Sequence, residues 1–152
     1  MMDLVRERGL LGRKGSDVDM KQWKKVKVFE DLTQESSITF DEPYTELIII
    51  SENVKGKEDG SQLIKYINDT GYANGQNGDL KSTVGYNCVD FIECIADGYI
   101  RNTHLQRQQY PITGLNNAFV GLFNISSAEM TSLRLTPQYG NFLSGKATIY
   151  AR

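Results

Sequence analysis

The 152-residue sequence predicts an all-β fold: an antiparallel β-sandwich, of the jelly-roll or a related Greek-key type, with an extended N-terminal arm. Three observations support this prediction. Short segments alternate apolar and polar side chains, as strands do when one face is buried. Glycine is abundant (14 residues) and proline is scarce (3), as in a turn-rich β-protein. No long segment has the apolar period of an amphipathic helix. We expect eight or nine strands in two packed sheets.

The chain divides into a predicted arm, residues 1–21, and a predicted sandwich domain, residues 22–152. The arm mixes charges and leucines without a sustained apolar period. Up to Lys27 the sequence has eight basic and four acidic residues, whereas the remainder is acidic. A basic arm on an acidic body favours docking onto an acidic neighbour, such as another copy of the chain. The alternative is a frayed, solvated terminus. The candidate assembly residues are Arg6, Arg8, Leu10, Leu11, Arg13 and Lys14.

The first predicted strands follow directly after the arm. Residues 23–29 interpose lysines between apolar side chains, which fits a half-buried strand with a basic outer face. Residues 36–40 form the next strand, and residues 41–43 a turn. Residues 45–51 give the strongest strand signal, because four consecutive apolar residues, 47–50, lie within them. Such a run predicts a central strand that is covered on both faces.

The middle of the sequence predicts one short strand, an excursion and a hairpin. Residues 62–67 form the short strand. Residues 69–85 are dense in turn formers and predict an excursion outside the core, with small hairpins at its Asn-Gly pairs. Residues 86–96 place Cys88, Asp90, Ile92 and Cys94 on one face of a strand. Asp97 and Gly98 then form the turn of the clearest hairpin in the sequence.

The last third predicts a loop and three strands. Residues 106–117 are polar and form the loop, and residues 118–125 the next strand. Residues 130–136 and 145–151 alternate polar and apolar side chains, with turn formers at Pro137, Gly140 and Asn141 between them. The chain is therefore expected to end inside a sheet.

The residues that could support catalysis or metal binding do not form a recognisable motif. Cys88 and Cys94 share one predicted strand about 20 Å apart, so we expect buried free thiols and no disulfide. A metal site would need more ligands than His104 adds, and His104 itself is expected at a surface or an edge. Because no hydrolase, phosphate-binding or metalloprotease motif occurs, we expect no enzymatic activity, no cofactor and no metal.

Composition also limits the partners that we expect. The longest apolar run is too short to span a bilayer, and the N terminus lacks an apolar block of signal-peptide length, so we expect synthesis in a cytoplasm and no membrane insertion. The acidic body disfavours nucleic acid. Eight tyrosines suggest carbohydrate binding, since sugar faces stack on exposed rings, although most rings in a sandwich pack in the core. The candidate glycan-binding residues are Tyr72, Tyr99, Tyr110 and Tyr139.

The sandwich domain resembles the small sandwich modules of bacteriophage virion proteins, especially tail-fibre and receptor-binding proteins. The resemblance depends on the strand and turn patterns of residues 23–29, 44–51, 131–136 and 145–152. It implies a structural or adhesive role, attachment of the N-terminal segment to the virion, and a homo-oligomer, commonly a trimer, with other virion proteins as partners. Unlike long tail fibres, this sequence has no collagen-like repeat, coiled coil or β-helical stalk.

The function expected from the sequence is therefore that of a structural protein of the virion, assembled in the host cytoplasm and exposed on the particle. It would act in a tail fibre, at the tail tip or as a capsid decoration, and mediate assembly or attachment to host-surface glycans. A stand-alone carbohydrate-binding module is the alternative, and a small hydrolase is a distant third.

Overall fold

The computed structural model describes residues 22–33, 36–73, 80–108 and 116–152, and these ranges contain ten β-strands. Within them, no helix is long and apolar enough to cross a membrane. The strands are β1 (Lys24–Phe29), β2 (Ser36–Tyr44), β3 (Glu46–Gly56), β4 (Leu63–Ile67), β5 (Thr70–Ala73), β6 (Tyr86–Ala96), β7 (Tyr99–Gln108), β8 (Asn116–Asn124), β9 (Met130–Pro137) and β10 (Phe142–Ala151).

The strands form two antiparallel sheets, which confirms the predicted β-sandwich. The larger sheet has the order β1-β10-β3-β6-β7-β8, and the smaller sheet has the order β2-β9-β4-β5. Without β7 and β8, this arrangement is the eight-stranded jelly roll, in which each sheet takes four strands and the chain crosses repeatedly between sheets. The β7–β8 hairpin extends the larger sheet beyond β6. The predicted arm lies outside the described residues.

The core lies between the two sheets. Strand side chains alternate between buried and exposed positions, so every second residue of a strand faces the opposite sheet. The larger sheet contributes Leu47, Ile49 and Ile92, and the smaller sheet Leu133 and Leu135, all with at most 1% of their surface exposed. These contacts join strands that are far apart in sequence, so the sandwich is held together by non-local packing.

Two tight hairpin turns set the register of the strands that form the candidate site. Asn68 and Asp69 connect β4 to β5 with φ angles of 52° and 65°. Asp97 and Gly98 connect β6 to β7 with φ angles of 54° and 83°. Positive φ at both central residues is the type I′ geometry, whose twist matches that of the flanking strands. The second turn confirms the predicted hairpin.

Four sequence-based expectations about individual elements were wrong. The ends of the predicted loop 106–117 belong to strands, since β7 continues to Gln108 and β8 begins at Asn116. Residues 41–43 are not a turn, since β2 continues through them and only its pairing with β9 shifts. Part of residues 69–85 belongs to the core, because β5 pairs with β4 and both Tyr72 and Leu80 are buried. The described ranges contain ten strands instead of eight or nine. In each case tertiary pairing overrides the local turn propensity.

The position of β3 agrees with the sequence in one respect and differs in another. It lies in the interior of the larger sheet, between β10 and β6, as predicted for a central strand. However, only one of its faces is covered within the described ranges. Leu47 and Ile49 are buried against the smaller sheet, whereas Ile48 and Ile50 point outward and remain partly exposed.

Candidate functional site

The outer face of the larger sheet is unusually apolar. We use the term apolar face for Ile48, Ile50, Val89, Phe91, Leu105, Val120 and Leu122. Strand pairing places five of them side by side: Ile50 pairs with Val89, Val89 with Leu105, and Ile48 with Phe91. Val120 and Leu122 pair with Thr103 and Arg101 of β7. Leu105, Val120 and Leu122 are 52%, 58% and 61% exposed. A contiguous exposed apolar surface of this kind is typical of a protein interaction site.

The apolar face has a groove on one side and an aromatic residue at its rim. The groove has a volume of about 650 Å³, and its lining includes Ile50, Val89 and Leu105. Trp23 packs edge-on against Phe91, with ring centroids 6.1 Å apart. Trp23, close to the start of the described residues, therefore lies beside this face.

A second unusual feature is a cluster of polar side chains buried between the sheets. We call it the polar cluster, and it is formed by Lys65, Tyr72, Cys88, Asp90, Asn102, His104 and Gln106. In the smaller sheet, Lys65 of β4 and Tyr72 of β5 are directly paired. In the larger sheet, Asp90 of β6 pairs with His104 of β7. The two hairpins therefore bring their polar residues face to face across the core.

Asp90 is the centre of the polar cluster. Its Oδ1 atom accepts hydrogen bonds from His104 Nδ1 at 2.7 Å and from Asn102 Nδ2 at 3.1 Å. The Lys65 Nζ atom lies 3.3 Å from the same oxygen, at ion-pair distance. The side chains of Asp90 and Lys65 are completely buried, and that of His104 is 1% exposed. His104 Nε2 also lies 2.9 Å from Gln106 Oε1.

The environment of the cluster changes the acidity of its members. Burial alone would raise the pKa of Asp90, but the Lys65 ammonium and the hydrogen bonds from His104 and Asn102 outweigh burial, so this pKa lies well below its usual range. Burial, and secondly the Asp90 charge, raises the pKa of Tyr72. Asp90 is therefore an anion, and the phenol of Tyr72 keeps its proton.

Tyr72 closes the cluster on the side of the smaller sheet. Its hydroxyl donates a hydrogen bond of 2.7 Å to Asn102 Oδ1. Its ring stacks on Phe123, with centroids 4.1 Å apart, and lies 5.5 Å from Lys65 Nζ. The polar groups are consequently enclosed by aromatic surface.

Cys88, Asp90 and His104 have ligand atoms within 4.8 Å of one another, close enough to hold a metal ion. Two observations argue against a cation. The Lys65 ammonium already faces the Asp90 carboxylate at 3.3 Å. Both ring nitrogens of His104 are already within hydrogen-bond distance of other side chains, Nδ1 at 2.7 Å from Asp90 Oδ1 and Nε2 at 2.9 Å from Gln106 Oε1. The three residues therefore do not fit a divalent metal.

A third feature lies on the outer face of the smaller sheet. A groove of about 530 Å³ is lined by Tyr66, Arg134, Gln138 and Tyr139, among others. The Arg134 guanidinium lies 3.8 Å from the centroid of the Tyr66 ring and covers its face. Tyr139 is 51% exposed. An exposed ring beside amide and guanidinium groups is suited to binding a sugar.

The structure separates the tyrosines that the sequence grouped as glycan-binding candidates. The candidacy of Tyr72 was wrong, because its ring is buried in the polar cluster. Tyr99 is 42% exposed but lies on the larger sheet, whereas Tyr139 lines the groove of the smaller sheet. Tyr110 lies outside the described residues. The same holds for the arm residues Arg6, Arg8, Leu10, Leu11, Arg13 and Lys14.

The expectations for histidine and cysteine are revised in part. His104 is neither at a surface nor at an edge, since it is buried and hydrogen-bonded to Asp90. Cys88 and Cys94 are both free, as expected; Cys88 is buried and Cys94 is partly exposed. Sequence reasoning missed Lys65 and Asn102. Both lie at strand positions that alternation of the side chains directs into the core. A polar residue at such a position is the signal that could have identified them.

Comparisons with known proteins give no relative from which a function could be transferred. No model of a known protein family matches the sequence, and no similar protein is found among curated proteins.

Proposed function

We propose that this chain is a structural protein of a bacteriophage virion, exposed on the particle, and that its apolar face packs against other copies of the chain. The proposal depends chiefly on one observation: outward apolar residues of β3, β6 and β7 form a face that has no second layer over it among the described residues. Val120 and Leu122 of β8 extend this face beyond Thr103 and Arg101 of β7. A run such as residues 47–50 is typical of strands covered on both faces. A homo-oligomer would supply the missing cover.

The arm supports another copy of the chain as the occupant of this face. Trp23, close to the start of the described residues, contacts Phe91 at the rim of the apolar face. The sequence up to Lys27 is basic, whereas the rest of the chain is acidic. Opposite charges on two parts of one chain favour association between copies in a defined orientation.

A charged residue on the apolar face tests this proposal. We expect the wild-type protein to be an oligomer by light scattering and a stoichiometric component of purified phage particles by quantitative mass spectrometry. Val120→Lys places a charge on the apolar face, in the edge strand β8, and should give a monomer that is absent from particles. Thr39→Lys, at an exposed position of β2 in the smaller sheet, is the matched control and should assemble normally.

Two results would reject parts of the proposal separately. A wild-type chain that is monomeric, or that oligomerises equally well with Val120→Lys, would exclude the apolar face as the contact between copies. Absence of the wild-type chain from purified particles would exclude the virion role. Deletion of Met1 to Met20 tests the arm in the same assay, and normal incorporation of the truncated chain would exclude it as an anchor.

The groove of the smaller sheet favours a second candidate function, glycan binding. Tyr139 provides an exposed ring, and Gln138 and Arg134 provide polar groups beside it. On a glycan array we expect binding by the wild type, loss of binding with Tyr139→Ala, and retention of binding with Tyr99→Ala, which lies on the other sheet. Absence of wild-type binding, or full binding by Tyr139→Ala, would refute this candidate.

A further inference from the structure

The polar cluster contains a lysine, a carboxamide and a carboxylate arranged for a reaction within the chain. We propose that Lys65 and Asn102 become joined by an isopeptide bond between Nζ and Cγ, which links the smaller sheet to the larger one covalently. This inference does not depend on the proposed function.

The surroundings of Lys65 favour its action as a nucleophile. Lys65 is among the largest completely buried side chains, and its Nζ atom has no hydrogen-bond partner among the described residues. The Asp90 Oδ1 atom lies 3.3 Å from it, at ion-pair distance. A buried ammonium without hydrogen bonds is costly, and a desolvated lysine that gives up its proton is a good nucleophile.

The second argument is the activation of the carboxamide. Asn102 Nδ2 donates a hydrogen bond to Asp90 Oδ1 at 3.1 Å, and Asn102 Oδ1 accepts one from the Tyr72 hydroxyl at 2.7 Å. A donor on the carbonyl oxygen stabilises the negative charge that develops there when a nucleophile adds to Cγ. The nitrogen atoms of Lys65 and Asn102 both lie within 3.3 Å of one oxygen of Asp90, which can therefore exchange protons with either.

The reaction needs no external reagent. A proton passes from the Lys65 ammonium to Asp90, and the lone pair of the neutral Nζ adds to Asn102 Cγ. Asp90 then gives its proton to Nδ2, the bond between Cγ and Nδ2 breaks, and ammonia leaves. The new amide nitrogen returns one proton to Asp90. The products are a neutral secondary amide, a protonated Asp90 and one ammonia molecule.

The surroundings favour this reaction over exchange with solvent. The reacting groups are held by two paired strands in each sheet. Because folding already places them side by side, the reaction has no further entropy cost of bringing them together. Tyr72 and Phe123 stack beside them and enclose the site. The reaction replaces a buried ion pair with neutral groups, and burial favours neutral groups.

Mass spectrometry of the purified full-length protein tests the bond. We expect the wild type to be lighter than its sequence mass by one ammonia. After trypsin digestion, Lys65 should remain uncleaved, and the peptide of residues 58–81 should be joined to the peptide of residues 102–107. Lys65→Arg and Asn102→Ala should each lack the joined peptide. Asp90→Asn should lack it as well, because the proton carrier is gone.

The controls separate this bond from other losses of ammonia. Asn74-Gly75 and Asn77-Gly78 lie in the same tryptic peptide and lose ammonia when they cyclise, but that loss would persist in Lys65→Arg and would join no peptides. A wild-type protein that has its full sequence mass and is cleaved after Lys65 would overturn the proposal. So would a link from Lys65 to residues 82–101 with loss of water, since Asp90 would then be the acceptor.

Discussion

Replacement of Asp90 by asparagine removes the charge that faces the Lys65 ammonium and leaves the size of the side chain almost unchanged. In the wild type the two groups are completely buried, with 3.3 Å between Nζ and Oδ1. Two unit charges at that distance attract by about 5 kcal/mol at an effective dielectric constant of about 20. Removal of one partner of a buried ion pair costs about 3 to 5 kcal/mol, because the other charge remains buried without compensation. We therefore expect Asp90→Asn to have a free energy of unfolding about 3 to 5 kcal/mol lower than that of the wild-type chain before Lys65 and Asn102 are joined, in which this ion pair is intact.

A second substitution distinguishes the effect of the unpaired Lys65 charge from that of a packing defect. Lys65→Met keeps most of the side-chain volume and removes the ammonium. Added to Asp90→Asn, it should restore about 3 kcal/mol, since a buried ion pair replaced by neutral groups is often close to neutral in stability. Neither the single nor the double variant can form the proposed isopeptide bond, so their comparison does not depend on it.

Urea unfolding followed by fluorescence measures the difference. Trp23 is the only tryptophan, and its ring contacts Phe91 and lies 4.3 Å from the Arg152 guanidinium, so unfolding changes its environment. Lys57→Met in the Asp90→Asn background is the matched control; Lys57 is exposed, and its loss should change stability by less than about 0.5 kcal/mol. If the double variant is no more stable than Asp90→Asn, the reasoning about the buried charge is wrong.

Two further predictions follow from burial. Leu135→Ala, at a completely buried position, should lower the free energy of unfolding in urea by about 2 to 5 kcal/mol. Leu143→Ala, at a position 50% exposed, should lower it by less than about 1 kcal/mol. Equal losses of stability would contradict the placement of the core. Burial raises the pKa of both thiols, but Cys94 is partly exposed whereas Cys88 is buried. Iodoacetamide at mildly alkaline pH should therefore alkylate Cys94 well before Cys88, as measured by peptide mapping. Faster reaction at Cys88 would contradict the structure.

Much of the fold could be predicted because its signals are local. The two-residue apolar alternation identifies most strands, and the pair Asp97-Gly98 identifies the β6–β7 hairpin by its turn chemistry. Strand β5 was missed because its four residues, Thr70–Ala73, lie among turn formers and are strands only through their pairing with β4. The assignment of strands to sheets also depends on non-local pairing: β9 and β10 follow each other in sequence but lie in different sheets.

The polar cluster could be predicted only in part. Period-two alternation puts Lys65 in phase with Leu63 and Ile67, and puts Asp90 in phase with Ile92, so each polar side chain was visibly out of place on an apolar face. The sequence does not show that the face of β4 that carries Lys65 packs against the face of β6 that carries Asp90. Lys65 and Asp90 are 25 positions apart and belong to opposite sheets, and their distance depends on how the sheets pack.

Residues 47–50 are apolar throughout because both faces of this part of β3 carry apolar side chains. Leu47 and Ile49 face the smaller sheet and are almost completely buried. Ile48 and Ile50 face outward, where an ordinary one-sided antiparallel sheet carries polar residues. The residues of β6 that pair with them, Phe91 and Val89, are apolar as well, and so is Leu105 of β7, which pairs with Val89. A single exposed apolar residue requires no explanation, but an apolar phase repeated across adjacent strands indicates a surface that is covered when the protein acts, and the proposed contact between copies provides that cover.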